Sequence, residues 1–537
     1  MKFENIIMHR FFHKKIISTV GIYLFFLIYF LIGLCIFKDY GISTDEPFER
    51  STMYVNLSYI LNQFGREPMN VPALETYEDK YYGMVLQMPT IFFEVGDMGL
   101  QFIYRCRHIY TFIICFIGYI AFFSLCKKIF NSNILGLLGA IMVGLYPRFF
   151  AEQFYNIKDM IFVSVFMISM WATERLVTSK FSYKWIVLFS IICAITTNVR
   201  IFGVIFIVFA IMYMWFSYIL EKIYKMKIYN LTWRKVLFSS IVMVGIYMML
   251  WVVLLPGTWE NPIHNILEMF MDFSNYDWHG KIVFMGEVIG GNQLPWYYIP
   301  IWLLISIPVW YIACFFITGG IVVYNIILQI KKKKNILLNL FFEYKFLTWC
   351  TLLFMVPWVG IVAINATMYN AWRHCYFLLP PIVMFILYGI QFIIINGKLR
   401  YKIFLFLFII VGIVFQSEWI CTNHPFEMVY FNEIGRKYGA DFDRDYWHLS
   451  ELQAYQYIAE NDNSENITID SSGNQLFMNM LDDEARARIE ISEDPTYYIE
   501  TYRGKVGNEC KKEGYEEVYS IIVDHFKVAS IFKKIKV

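Results

Sequence analysis

"IISTVGIYLFFLIYFLIGLCIFKDYGISTDEPFER", residues 16–50, decides the class of this fold. Positions 16–36 carry no charge. As a helix they reach across a hydrocarbon layer of about 30 Å. The chain then meets two adjacent acids, Asp45 and Glu46, as it leaves the bilayer. Comparable apolar runs recur at 108–126, 132–147, 159–178, 183–196, 200–219, 236–255, 298–327, 347–364, 375–395 and 402–420. The chain therefore reads as a polytopic α-helical membrane protein with about 11 transmembrane helices.

Composition agrees. The chain has 537 residues, 58% hydrophobic and only 17% charged, where soluble domains average roughly half and a quarter. Aromatic content of 20% serves interfacial anchoring by Tyr and Trp, or rings lining a groove for a lipid or sugar. The net charge of +2 argues for no particular partner. Nucleic acid is excluded as a partner because the basic residues sit in short clusters beside apolar runs. The ten cysteines form no CxxC pair and no metal spacing. Most lie in apolar runs as packed thiols, while Cys421 and Cys510, in the polar C-terminal part, are placed to pair if that part is outside. The first run lacks a small-residue cleavage site and reads as a retained helix. No solenoid repeat or low-complexity tract is visible.

Basic clusters give the orientation. They fall at Lys14–Lys15, Lys127–Lys128, Arg175/Lys180/Lys184, Lys222–Lys235, Lys331–Lys334 and Lys398–Lys402, in every second connection. By the positive-inside rule that side is cytoplasmic, which puts the N-terminus inside and the segment from 421 outside. The domains expected are a transmembrane domain over 1–420, a first outer loop with amphipathic helices over 37–107 within it, and an extracytoplasmic α/β domain over 421–537. That last domain should hold a helix near 449–460 and strands near 466–471, 487–491, 496–502, 517–523 and 527–533. Residues 47–64 should form a helix lying on the membrane, with Tyr54, Leu57, Ile60, Leu61 and Phe64 on one stripe. Pro47 suits its first position and would hold Glu46 outside the helix. Residues 256–297 also read as surface-bound, anchored by Trp259, Trp278 and Trp296.

The outer connections hold the chemically unusual residues. Asp45 is the candidate general base, and Glu46 holds the loop. A second acid comes from "YPRFFAEQFYNIKD", residues 145–159 less its first position, as Glu152 or Asp159, and the spacing leaves that choice open. Cations gather on the same side: Arg148, Lys158, Arg200, Arg373 and His374. Arg200 sits between two apolar runs with almost no loop, where a charge costs a few kcal/mol and marks function. Arginines so placed grip phosphate bidentately. A carboxylate base, a phosphate-binding cation group and a headgroup-level site are the parts needed to move a sugar from a lipid phosphate to an acceptor. Direct attack would invert the anomeric centre. A monophosphate leaving group requires no metal or other cofactor, whereas a pyrophosphate one calls for a divalent ion.

The ordered set "STDEPF", "YPRFFAEQFYNIKD", "TTNVRIFG", "NQLPWYYIPIWLLISIP", "YNAWRHCYFLLPP" and "HPFEMVYFNE" resembles membrane glycosyltransferases of the C fold. The resemblance is to the bacterial branch of family 39, relatives of protein O-mannosyltransferases and of the lipid A aminoarabinose transferase, and it spans roughly residues 40–435. It implies a polyprenyl-phosphate sugar donor, an inverting hexosyl or pentosyl transfer and an outer-face cleft with Asp45 as the first-loop acid. The acceptor stays open between glycan, lipid and protein. Two other classes compete: a flippase for lipid-linked sugars, which would carry midplane charges and inverted repeats, and a non-catalytic envelope-assembly protein, which would not need Asp45.

Overall fold

A computed structural model describes residues 2–96, 98–274, 278–333, 335–473 and 475–535, with side chains described from residue 19 onward. Lys334 and the side chains of Lys14 and Lys15 lie outside the described residues. Among the described residues, nine helices are long and apolar enough to cross a membrane: Thr19–Asp39, Leu100–Phe130, Asp159–Thr178, Ile201–Ile223, Trp233–Val253, Val309–Lys331, Lys345–Ala363, Arg373–Asn396 and Leu399–Asn423. The chain is a multi-pass membrane protein with a small C-terminal α/β domain.

Three of the expected spans are built differently. The run at 132–147 becomes Asn133–Gly144 followed by Pro147–Tyr155, bent by 66°. Ser132 caps the first helix by accepting the Leu135 N–H. Pro147 opens the second, where a missing N–H costs nothing. Every residue of Pro147–Tyr155 is buried. The run at 183–196 forms Tyr183–Val199, short for a span. A third, 298–327, is two helices, Tyr298–Ser306 and Val309–Lys331. Pro308 forces Ile307 into an extended conformation, φ −85° and ψ 136°, and the helix stops.

The bundle packs tightly where small residues allow it. A Cβ on Gly118 would come within 2.8 Å of Ser164 Cα, so glycine lets Leu100–Phe130 approach Asp159–Thr178. Leu100–Phe130 starts eight residues earlier than the sequence suggests, which places Arg107 and His108 inside it, both fully buried.

The helix that follows the first span runs Asp45–Gln63, so Glu46 is helical and Pro47 is its third residue. That corrects the expected start. Proline is tolerated through the first turn because the N–H it lacks has no helical acceptor there. The helix buries Glu46, Glu49, Thr52, Met53 and Asn56 against the protein, and leaves the stripe of Tyr54, Leu57, Ile60 and Leu61 half-exposed, with Phe64 exposed. Within 256–297, the helix Pro262–Ser274 presents Ile263, Leu267 and Met271 outward, as a surface helix should. Trp296 is exposed. Trp259 instead packs on Tyr59, and Trp278 stacks on Tyr369 with centroids 4.2 Å apart.

Among the described residues, seven strands lie outside the bundle. β1 (Lys281–Phe284) and β2 (Glu287–Gly290) form a hairpin unforeseen from sequence, turned by Met285 and Gly286 at positive φ. The C-terminal domain has the helix Ser450–Asn461 and strands β3 (Ile467–Ser471), β4 (Ile489–Ile491), β5 (Tyr497–Thr501), β6 (Tyr515–Val523) and β7 (Phe526–Lys534). Their order is β4-β3-β5-β7-β6; β3 pairs parallel with β4 and β5, and β7 pairs antiparallel with β5 and β6. Residues 424–449 bind this sheet to the bundle. Asn432 donates to the carbonyls of Leu304 and Ile307 at 2.7 and 2.6 Å. Asp443 clasps Val283 of the hairpin through its N–H and Oδ1, at 3.0 and 2.9 Å. All ten cysteines are free, Cys421 and Cys510 included.

Candidate functional site

The turn that carries Asp45 and Glu46 is fixed from three sides. Ser43 Oγ donates to the Tyr155 carbonyl at 3.1 Å, and Thr44 Oγ1 donates to the Trp447 carbonyl at 3.2 Å. Glu46 Oε2 accepts the Ser43 N–H at 2.7 Å, a capping arrangement that closes the start of the helix. The Glu46 carboxylate also meets His108 Nε2 at 3.1 Å, both side chains having no exposure. Glu46 is thereby a buried brace, and the neighbouring Asp45 is turned toward the opening.

Asp45 Oδ2 accepts from Arg373 Nη1 at 2.6 Å. The same nitrogen lies 3.5 Å from Asp159 Oδ2, and Asp159 Oδ1 accepts from Arg200. Asn156 orders this cluster: its Oδ1 accepts the Asp159 N–H at 2.9 Å, and its Nδ2 donates to Glu152 at 2.6 Å and to Asp159 at 3.3 Å. Glu152 Oε1 accepts from the hydroxyls of Tyr376 and Tyr446 at 2.6 and 3.0 Å. Lys158 pairs with Glu49 at 2.7 Å and sits 3.2 Å from the Tyr82 ring centroid. Charges of opposite sign therefore alternate through the site, which lets them coexist in a largely dry place.

Exposure separates the carboxylates. Asp45 is 31% exposed; Glu46, Glu152 and Asp159 are between 0% and 2%. Burial alone would raise the Asp45 pKa, but Arg373, Lys158 and Arg200 hold it below the ordinary value, so the group is ionised at neutral pH.

The structure brings Asp45, Asp159, Arg200 and Arg373 into direct contact, and joins Glu152 and Lys158 to them through Asn156 and by sequence adjacency. His374 lies edge-on to Tyr369, with ring centroids 4.6 Å apart. Arg148 is fully buried, donating to the Tyr430 carbonyl at 3.1 and 3.2 Å and lying against Trp302 and Phe431. Those contacts give it the role of tying residues 424–449 to the helix Pro147–Tyr155. A long loop supplies one wall: Gly83 lies where a Cβ would strike the Asn198 carbonyl, and Asn198 Oδ1 accepts the Val85 N–H at 3.2 Å.

Several residues of the site carried no sequence signal. Trp447 lies 4.5 Å from the Arg373 guanidinium. Tyr369 covers the same guanidinium at 5.1 Å. Glu49 lay in a helix read only for its apolar stripe; its position three residues after Glu46 was the signal available. Among the described residues no three His, Cys, Asp or Glu side chains group as a metal's ligand set.

No protein-family model and no curated protein matches the chain. Among solved structures, the chain is similar to the crystal structure of ArnT from Cupriavidus metallidurans bound to undecaprenyl phosphate. Identity is 10%, the TM-score is 0.38, and the match covers 96% of this chain and 97% of that one. At this level of likeness, the functional reading stands on the chain's own residues.

Proposed function

We propose that this protein is a membrane glycosyltransferase of the C-fold type, related to family 39, that moves a sugar from a polyprenyl-phosphate donor to an acceptor at the outer face of the membrane. One observation carries the reading. Asp45, the most exposed carboxylate of the site, is held ionised by Arg373 at the end of the bundle that bears the C-terminal domain. Its Oδ2 is taken by Arg373, while Oδ1 accepts from no described residue.

In this reading Oδ1 of Asp45 takes the acceptor hydroxyl proton as the oxygen attacks the anomeric carbon, and the bond to the donor phosphate breaks. A single displacement inverts the anomeric configuration. Arg373 and Arg200 stabilise the negative charge that collects on the departing phosphate. Lys158 adds a third positive group from the Tyr82 wall. Asp159, Asn156 and Glu46 keep these groups in place before substrate arrives, which is where preorganised sites gain their rate.

The test is incubation of the purified protein with a panel of polyprenyl-phosphate sugars and candidate acceptors, with products read by mass spectrometry. Transfer by the wild type, with retained expression and lost transfer in Asp45→Asn, supports the enzyme. Sugar-lipid movement across vesicles without any glycosylated product would favour a flippase instead.

A further inference from the structure

The three cations gathered around Asp45 and Asp159 in the membrane half are matched: Arg373 by Asp45 and Asp159, Arg200 by Asp159, Lys158 by Glu49. Arg503, supplied by the C-terminal domain just after β5, is different. Its Nη1 lies 3.3 Å from His448 Nε2, and His448 Nδ1 lies 2.8 Å from Thr501 Oγ1. Burial lowers the His448 pKa and Arg503 adds to that, so the ring is neutral, donates Nδ1–H to Thr501 and accepts from the guanidinium. A neutral imidazole orients Arg503 without cancelling its charge. Among the described residues no carboxylate lies within ion-pair distance of Arg503.

Arg503 also lies within the electrostatic reach of the Asp45 cluster. Burial lowers its pKa first and the field of Arg373 next, with Asp443 and Asp45 opposing. Trp447 and His448 are consecutive; the first lies against Arg373 and the second bonds Arg503. Two guanidiniums thus contact consecutive residues of one short segment, and the Trp447 indole N–H is buried without an acceptor. Neighbouring like charges of this kind are relieved by an anion with several lone pairs.

We infer that Arg503, oriented by His448 and Thr501, is an anion-binding residue on the acceptor side of the cleft, taking a phosphate or carboxylate group carried by the acceptor. The inference rests on the glycosyl-transfer reading for the word acceptor. Its geometry fits that side: the donor phosphate is left to the membrane-half cations, and Arg503 approaches from the domain above them. An acidic envelope glycan or a phosphorylated lipid headgroup has the required chemistry.

The experiment uses the full-length protein in detergent, saturated with undecaprenyl phosphate and titrated calorimetrically with inorganic phosphate. The expected result is a phosphate site that Arg503→Gln weakens at least tenfold and Arg503→Lys by less than threefold. Undecaprenyl phosphate binding, which also reports a folded protein, stays within twofold in both variants. Unchanged phosphate binding in Arg503→Gln overturns the inference. A tenfold loss of undecaprenyl phosphate binding in that variant also overturns it, by assigning the anion to the donor. If the wild type ignores undecaprenyl phosphate yet Arg503→Gln still abolishes phosphate binding, the donor reading falls and the anion site stands.

Discussion

Replacing Glu46 should loosen the turn that carries Asp45 without removing Asp45 itself. In Glu46→Ala the Ser43 N–H loses its acceptor and His108 loses its partner, both in a place without exposure. A lost cap of this kind costs ~1 kcal/mol. A hydrogen bond to a charged group is worth about 1.5–3 kcal/mol. No solvent screening reduces the second value, since neither side chain reaches water. Together they come to roughly 3 kcal/mol, a factor of order one hundred in a local opening equilibrium. Hydrogen exchange read by mass spectrometry checks this. Peptides covering 41–50 should lose protection by about that factor, while the helix Leu399–Asn423 keeps its own. Glu46→Gln, which can still accept the Ser43 N–H, should lose less than the alanine variant. Protection of 41–50 within threefold of wild type in Glu46→Ala would refute the brace and return Glu46 to the candidates for chemistry.

Asp159→Asn removes the carboxylate shared by Arg200 and Arg373. Loss of one partner from a buried pair costs about 3–5 kcal/mol, but Arg200 is 18% exposed and Arg373 keeps Asp45, so roughly 2–3 kcal/mol is expected. A lowered denaturation midpoint in mixed micelles measures it. Gly118→Leu should separate Leu100–Phe130 from Asp159–Thr178 and cost ~1–3 kcal/mol through overpacking, read as a lower midpoint. His424 bridges Asp39 and Glu427 at 3.1 and 2.7 Å. Burial lowers its pKa, but the two carboxylates raise it further, so the net folded value lies above the ordinary one. Its stabilisation is therefore complete below about pH 6.5 and is lost as pH rises through the folded value. Exchange of 424–429 should accelerate with pH beyond the intrinsic rate in the wild type and not in His424→Gln. Asp45 has the opposite sign. Its depressed pKa makes its contribution full above the ordinary carboxylate value of about 3.9 and lost only as pH falls through the folded one, so transfer should show no Asp45 titration between pH 5 and 8.

Much of the architecture is legible because it rests on local signals. Long apolar runs specify spans wherever they lie, and the period-two pattern at 467–471 specifies a strand. What resists reading is set by distant partners. Arg148 looks like the other outer-loop cations, and only the Tyr430 carbonyl, 282 residues away, gives it a packing role. Trp447 lies in the polar C-terminal part, and nothing in its neighbourhood announces that it meets Arg373. The Glu46 carboxylate reaches the Ser43 N–H and His108, contacts that the adjacent Pro47 does not foretell. The break at Pro308 had a signal, a proline inside an apolar run, which length alone outweighed.

Glycosyl transfer by wild type and Asp45→Asn, side by side, tests the central claim most directly. With a polyprenyl-phosphate sugar and its acceptor in hand, the wild type should yield a glycosylated product of inverted anomeric configuration, and the variant should fall by two orders of magnitude or more while still binding the donor. Equal rates in the two proteins, or a product of retained configuration, would contradict the account.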